Sequence, residues 1–111
     1  LHHDMAILKP GMSFRDVSDQ AWVIPDEFMS NRYTCLLHGV GLADEYPSIR
    51  HAVDFDKKGY PGAIEEGMTL CVESMIGAEG GRQGVKLEQQ VLITKNGAQA
   101  LSSYPFEEDW L

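Results

Sequence analysis

The stretch Leu36-Leu37-His38-Gly39-Val40-Gly41-Leu42 is an apolar run that contains one histidine and two glycines, and the acidic pair Asp44-Glu45 follows it closely. The apolar residues predict a buried strand. A neutral imidazole at the end of such a strand is a good ligand for a divalent metal ion, and the glycines let a substrate or a second strand approach the backbone. A single histidine on an apolar strand is more commonly a core residue with satisfied hydrogen bonds. His38 is therefore a candidate ligand that needs support from other residues.

Two glutamates provide that support. Glu73 stands in the apolar run Met68–Ile76 and Glu88 stands in Val85–Thr94, and both runs predict buried strands. Burying an unpaired carboxylate costs on the order of several kcal/mol, so a buried glutamate normally has a cation or a metal ion beside it. Basic residues are scarce here, with 9 Lys and Arg against 17 Asp and Glu. We therefore predict that His38, Glu73 and Glu88 share one metal site.

The order of three sequence blocks resembles the second half of the pita-bread metalloenzymes, which include methionine aminopeptidase, aminopeptidase P, prolidase and creatinase. The resemblance extends over nearly the whole chain, from the Lys9-Pro10-Gly11-Met12 turn onward. It implies an α+β fold, namely the C-terminal half of a pita-bread fold, in which helices flank an antiparallel sheet. The blocks that carry it are His38–Gly41, Glu66–Glu73 and Gly84–Glu88 with its continuation Thr94–Ala98.

In that family, five protein ligands hold two metal ions: two aspartates, then a histidine and two glutamates. The resemblance matches His38, Glu73 and Glu88 to the last three. The aspartates upstream of His38 lie in helix-like or turn-like surroundings and match neither aspartate strand; they are Asp4, Asp16, Asp19 and Asp26. We therefore expect residues 1–111 to be a single partial domain that lacks the N-terminal half, with an incomplete site for divalent Fe, Mn, Zn or Co.

The resemblance also bears on the reaction. Proline-specific members carry a second histidine seven residues after the metal-binding one, and Glu45 stands there instead. An anionic side chain cannot donate a hydrogen bond to a developing oxyanion. The dimethylsulfoniopropionate lyases of this fold are similar to the chain in placing an aspartate and a tyrosine where Asp44 and Tyr33 stand. That similarity implies that Asp44 is the catalytic base and that Tyr33 orients or gates it.

Other interpretations stay open at these positions. Asp44 is also compatible with an exposed turn residue, and Tyr33 with an ordinary aromatic residue at a strand entry. The parent protein is expected to act on a small molecule or a short peptide, either as a lyase or as a hydrolase of Xaa-Pro peptides. A non-catalytic binding module is the third possibility. The isolated chain is expected to be inactive unless the N-terminal half or a homo-oligomer partner supplies the missing ligands.

Composition limits the remaining function classes. The net charge of −8 and the pI of about 4.8 make binding to nucleic acid or to an anionic membrane surface unfavourable. No apolar run approaches the roughly 20 residues of a membrane span, and we expect a cytoplasmic protein. Cys35 and Cys71 lie in apolar runs without a Cys-x-x-Cys spacing and are expected to be buried free thiols. An exposed strand edge predicts self-association.

Local patterns predict the remaining elements. Ser13 starts a Ser-x-x-Asp capping pattern, and Phe14, Val17, Ala21 and Trp22 follow at helical spacing up to Pro25. The other predicted elements are a helix over 1–8, a helical turn over 26–31, a turn over 43–47, a loop over 54–67, a turn over 76–82, a strand over 98–101 and a tail over 102–111 that covers part of the sheet.

Overall fold

The computed structural model describes residues 1–107 and consists of four short helices and five strands. The strands form one antiparallel sheet with the spatial order β2-β1-β3-β4-β5. The helices are α1 (His2–Ile7), α2 (Phe14–Gln20), α3 (Asp26–Met29) and α4 (Ala52–Lys58). The strands are β1 (Cys35–Val40), β2 (Asp44–Arg50), β3 (Thr69–Ile76), β4 (Val85–Thr94) and β5 (Gly97–Ala100).

The apolar core lies between one face of the sheet and the N-terminal helices. Alternate residues of β3, such as Leu70 and Val72, point into this core and are fully buried. Phe14 and Val17 of α2 pack against them from the helical layer. The opposite face of the sheet is therefore left to carry polar side chains.

The predicted start of α2 is confirmed. The Ser13 hydroxyl accepts a hydrogen bond from the Asp16 backbone N–H and donates one to the Asp16 carboxylate, which satisfies a backbone donor that the first helical turn leaves free. Phe14, Val17 and Ala21 are buried as predicted, but Trp22 is half exposed because the helix ends at Gln20.

Two predictions for the middle of the chain were wrong. Residues 43–47, predicted as a turn, contain the start of β2, since Asp44 already pairs with Val40. Pro47 is tolerated because β2 is an edge strand and Tyr46 and Pro47 lie in a bulge between the His38↔Ser48 and Gly39↔Glu45 pairs. The loop predicted over 54–67 begins inside α4. An ion pair links Asp54 of this helix to Arg32, which precedes β1.

The C-terminal tail is described only to Glu107, and the prediction for the tail therefore extends beyond the described residues. Its described part has no regular secondary structure. The ring of Phe106 packs edge-on against His2 of α1, with 5.2 Å between ring centroids. No helix in the described part of the chain is both long and apolar enough to cross a membrane.

Candidate metal centre

The sheet register places the predicted ligands on one face. His38 on β1 pairs directly with Cys71 on β3, and Glu73 on β3 pairs directly with Glu88 on β4. Directly paired residues project from the same face, as do residues two apart on one strand. His38, Cys71, Glu73 and Glu88 therefore all project from the face opposite the apolar core.

His38 presents one ring nitrogen to the glutamates. Its Nδ1 lies 3.0 Å from the Gly39 carbonyl oxygen. Because a carbonyl can only accept, this hydrogen bond places the hydrogen on Nδ1 and leaves a lone pair on Nε2 in the neutral ring. Nε2 lies 3.6 Å from Glu73 Oε1 and 3.8 Å from Glu88 Oε1. This is the tautomer that a metal ligand needs.

Glu73 is a charged residue of this face that is almost completely buried. Its side chain is 1% exposed, and its Oε1 accepts no hydrogen bond from the described residues. A carboxylate buried without such partners is costly unless a cation stands beside it. With Oε1 facing the His38 lone pair, Glu73 gives this face a donor set that fits a divalent metal ion.

Lys86 is a cation that the sequence reasoning missed. Its Nζ lies 2.9 Å from Glu73 Oε2 and 3.1 Å from Glu88 Oε2, although the side chain is 47% exposed. The two glutamates raise the pKa of Lys86 above its usual value through hydrogen bonding to its ammonium group. The available signal was its position two residues before Glu88, which puts both side chains on the same face of β4.

The pKa of Glu88 reflects competing influences. Burial by itself raises the pKa of this carboxyl, but hydrogen bonds from Cys71 and Lys86 and the charge of Lys86 outweigh it. The pKa of Glu88 therefore lies below its usual value. The lowered pKa favours the ionised carboxylate, which is the form that binds a metal ion.

Cys71 is a second residue whose place in the centre was missed. It is buried, and neither Cys71 nor Cys35 forms a disulfide, as predicted. Burial and the neighbouring Glu88 raise the pKa of the Cys71 thiol to about 12, so the thiol keeps its hydrogen near neutral pH. One ligand atom each from His38, Cys71 and Glu88 lie within 4.8 Å of one another.

Asp44 lies at the margin of the centre. Its Oδ1 is 3.8 Å from His38 Nδ1, too far for a hydrogen bond, and the side chain is 88% exposed. Asp44 and Tyr33 line a cavity of about 480 Å³ on the β2 side of His38. The remaining lining residues are Cys35, His38, Tyr46, Ser48, Arg50 and Tyr60.

Tyr33 lies two residues before the start of β1, and its backbone N–H donates a hydrogen bond to the Met75 carbonyl of β3. The Lys86 ammonium lies 5.3 Å from the centroid of its ring, which is within cation–π distance. Through Lys86, Tyr33 is therefore connected to both glutamates.

Three of the four aspartates upstream of His38 have contacts away from the centre, and the fourth, Asp26, begins α3. Asp4 accepts a hydrogen bond from the Trp22 backbone N–H, Asp16 takes part in the α2 cap, and Asp19 pairs with Arg15. The ligand-type side chains that the structure describes at the centre are thus His38, Cys71, Glu73 and Glu88, with Asp44 beside them.

Comparison with known proteins gives matches over most of the chain. The model of metallopeptidase family M24 matches residues 1–95. Two curated relatives are the dimethylsulfoniopropionate lyases DddP of Roseovarius nubinhibens, 42% identical, and of Roseobacter denitrificans, 43% identical. Each alignment covers 94% of this chain but 23% of the relative. The chain thus spans about a quarter of the length of these relatives.

Among solved structures, prolidase from Pyrococcus furiosus is similar with a TM-score of 0.70 and 29% sequence identity. The match covers 95% of this chain and 30% of the prolidase chain. The predicted fold is thereby confirmed: the antiparallel sheet and its helices correspond to the C-terminal half of a pita-bread fold.

Proposed function

Because the chain belongs to the M24 metallopeptidase family, whose membership implies the use of divalent metal ions, we propose that it carries part of the metal centre of a dimethylsulfoniopropionate lyase. His38, Glu73 and Glu88 are the proposed ligands. The observation that carries the choice of reaction is Asp44, an exposed carboxylate 3.8 Å from the ring of the ligand histidine. The similarity to two lyases of that name supports the same choice.

The proposed reaction is a β-elimination. Asp44 removes a proton from the carbon next to the substrate carboxylate, the bond between carbon and sulfur breaks, and dimethyl sulfide leaves with that electron pair. The remaining product is acrylate, and the proton stays on Asp44 until solvent takes it. When bound, the metal supplies positive charge that stabilises the negative charge developing on the substrate carboxylate.

The other residues of the face orient these groups. The Gly39 carbonyl fixes the His38 ring so that Nε2 faces the two glutamates. The cavity of about 480 Å³ lies open beside Asp44, with room for a small substrate. Tyr33 lies at its wall, where we propose that it orients the substrate or gates access to the base.

A hydrolase of Xaa-Pro peptides is the second candidate. The likeness to prolidase, with a TM-score of 0.70, favours it. Against it stands Glu45, which occupies the position where the resemblance places a second histidine. A non-catalytic binding module is a weaker third candidate, since the buried Glu73 retains at the centre a carboxylate oxygen, Oε1, without a hydrogen bond from the described residues.

For the isolated chain we propose weak metal binding and no turnover. The resemblance implies five ligands for two metal ions, and His38, Glu73 and Glu88 account for three of them. The two aspartates would come from an N-terminal half or from a second copy of the chain. A cytoplasmic location and self-association remain predictions from the sequence.

The deciding experiment uses the protein expressed from its complete gene and loaded with iron, manganese or zinc. Release of dimethyl sulfide from dimethylsulfoniopropionate is assayed beside release of proline from an Xaa-Pro dipeptide. Sulfide release that disappears in Asp44→Ala supports the lyase and its base. Proline release without sulfide release overturns the proposal in favour of the peptidase, and neither release in any metal form favours the binding module.

A further inference from the structure

Cys71 is the one cysteine of the chain that lies among the proposed metal ligands. One ligand atom each from Cys71, His38 and Glu88 fall within 4.8 Å of one another. A metal ion bound at about 2.0 to 2.3 Å from each ligand atom has its ligands no more than about 4.6 Å apart. Only a small adjustment of the side chains is therefore needed for all three to reach one ion.

A second, independent observation points to a bound cation at this place. The Glu73 carboxylate is 1% exposed, and its Oε2 contacts the Lys86 ammonium at 2.9 Å, whereas its Oε1 has no hydrogen bond from the described residues and lies 3.6 Å from His38 Nε2. Glu73 is thus available as a further ligand to an ion held by the other three. Cys71 and Glu88 also line a cavity of about 730 Å³, which gives an ion access from the side of β4.

This ligand set contains a sulfur ligand, Cys71, whereas the set that the resemblance implies contains only nitrogen and oxygen ligands. Histidine and carboxylates suit iron, manganese, zinc and cobalt, whereas a cysteine thiolate selects soft ions. We propose that the centre has a second binding mode, in which His38, Cys71 and Glu88 hold a strongly thiophilic divalent ion such as Cd²⁺. The proposal rests on the ligand roles proposed for His38 and Glu88, and not on the lyase reaction.

Binding in this mode exchanges a proton for a metal ion. The bond between the thiol sulfur and its hydrogen breaks, the proton passes to solvent, and the sulfur electron pair forms the bond to the metal; nothing is oxidised or reduced. A hard ion such as Mn²⁺ gains little from sulfur and leaves the thiol protonated. A soft ion therefore removes His38 and Glu88 from the harder ion that the proposed reaction uses, and it inhibits the enzyme.

The test compares Cys71→Ser with the matched variant Cys35→Ser. Cys35 is also a buried free thiol, but its sulfur contacts the Leu37 and Ile49 carbonyl oxygens and the Ser48 hydroxyl. The protein from the complete gene is stripped of metal and titrated with Cd²⁺, while ultraviolet absorption from thiolate-to-metal charge transfer is recorded. Circular dichroism of each variant checks the fold, and Cys71→Ala serves if the serine variant does not fold.

We expect the absorption band in the unsubstituted protein and in Cys35→Ser, and its loss in Cys71→Ser. The affinity for Cd²⁺ should fall at least about tenfold in Cys71→Ser, while the affinity for Mn²⁺ changes less than about twofold. A band that persists in Cys71→Ser, or that is absent from the unsubstituted protein, overturns the proposal, as does an equal loss of both affinities. Absence of sulfide release leaves this readout unchanged, so the two proposals fail separately.

Discussion

The ammonium nitrogen of Lys86 lies 2.9 Å from Oε2 of the buried Glu73 and also contacts Glu88. One side chain thus bridges the two carboxylates that the sheet register holds face to face. Like charges directly opposite each other destabilise a pair of strands. Lys86 offsets that repulsion in the metal-free chain, where it occupies the neighbourhood that a metal ion would share.

Replacing Lys86 tests its effect on the stability of the metal-free protein and its effect on metal affinity. We expect Lys86→Met to lower the melting temperature of the metal-free protein and to raise its affinity for Mn²⁺ by about two- to fivefold, the strength of an exposed ion pair. Calorimetric titration and thermal unfolding measure the two quantities. Lys86→Arg keeps the charge and should change the melting temperature and the metal affinity much less. Weaker metal binding in Lys86→Met would contradict the proposal that the Lys86 ammonium competes with a metal ion for the glutamates.

Glu73→Gln tests the buried ligand. The amide keeps the shape of the side chain, it removes the repulsion between Glu73 and Glu88, and Lys86 keeps Glu88 as its partner, so we expect the metal-free protein to be about as stable as before. Metal affinity should fall at least about a hundredfold, because loss of a supporting residue alone costs about ten- to hundredfold. Calorimetric titration with Mn²⁺ measures the loss. The exposed Glu66→Gln is the control, and equal affinities in the two variants would refute the ligand role.

Asp44→Asn tests the proposed base. The amide cannot accept the substrate proton, so kcat for dimethyl sulfide release should fall about a hundredfold to ten-thousandfold. Metal affinity should be nearly unchanged, since the carboxylate stands 3.8 Å from the His38 ring and forms no hydrogen bond with it. A variant that loses metal binding in proportion to activity would make Asp44 a ligand instead of a base.

Tyr33 offers a hydroxyl and a ring, which two substitutions separate. If the hydroxyl orients the substrate or the base, Tyr33→Phe should lower kcat by about two- to tenfold, the value of one hydrogen bond. Tyr33→Ala additionally removes the ring that faces Lys86 and should raise KM as well. Steady-state kinetics distinguish the two. Full activity of Tyr33→Ala would show that Tyr33 has no role in the reaction and is an ordinary aromatic residue at a strand entry.

His51 predicts a pH dependence of stability. Burial, followed by the charge of Arg32, lowers the pKa of His51 below its ordinary value of about 6.5. As the pH falls below about 6.5, the unfolded chain therefore takes up a proton that the folded chain still refuses, and the free energy of unfolding decreases. Urea unfolding at about pH 8 and about pH 5 measures the decrease. His51→Gln should reduce it, and an identical decrease in that variant would exclude His51 as its source.

The sequence was informative where side-chain alternation and binding chemistry agreed. The apolar runs around Glu73 and Glu88 predicted β3 and β4, and the cost of burying a carboxylate linked both to His38. It was misleading at Pro47, because nothing local shows that β2 is an edge strand in which a bulge can hold a proline.

Lys86 and Cys71 show a second limit. Counting basic residues suggested that few cations could reach the glutamates, but one lysine on the right face of β4 serves both. Cys71 was predicted to be a buried free thiol, which is confirmed, but its pairing with His38 also places it at the centre. Both contacts depend on the register between strands, which the sequence of each strand does not contain.

The register of β3 and β4 also determines what motif spacing means in this fold. Pairing runs without interruption from Thr69↔Leu92 to Ile76↔Val85, so Glu73 and Glu88 remain opposite each other whatever connects the two strands. Their separation in sequence therefore measures the length of the connection over residues 77–84, and not the chemistry of the centre. A pattern search that fixes this separation would overlook centres of identical geometry on longer hairpins. A search that requires an outward-facing glutamate on each strand, and allows any number of residues between the two, would find such centres.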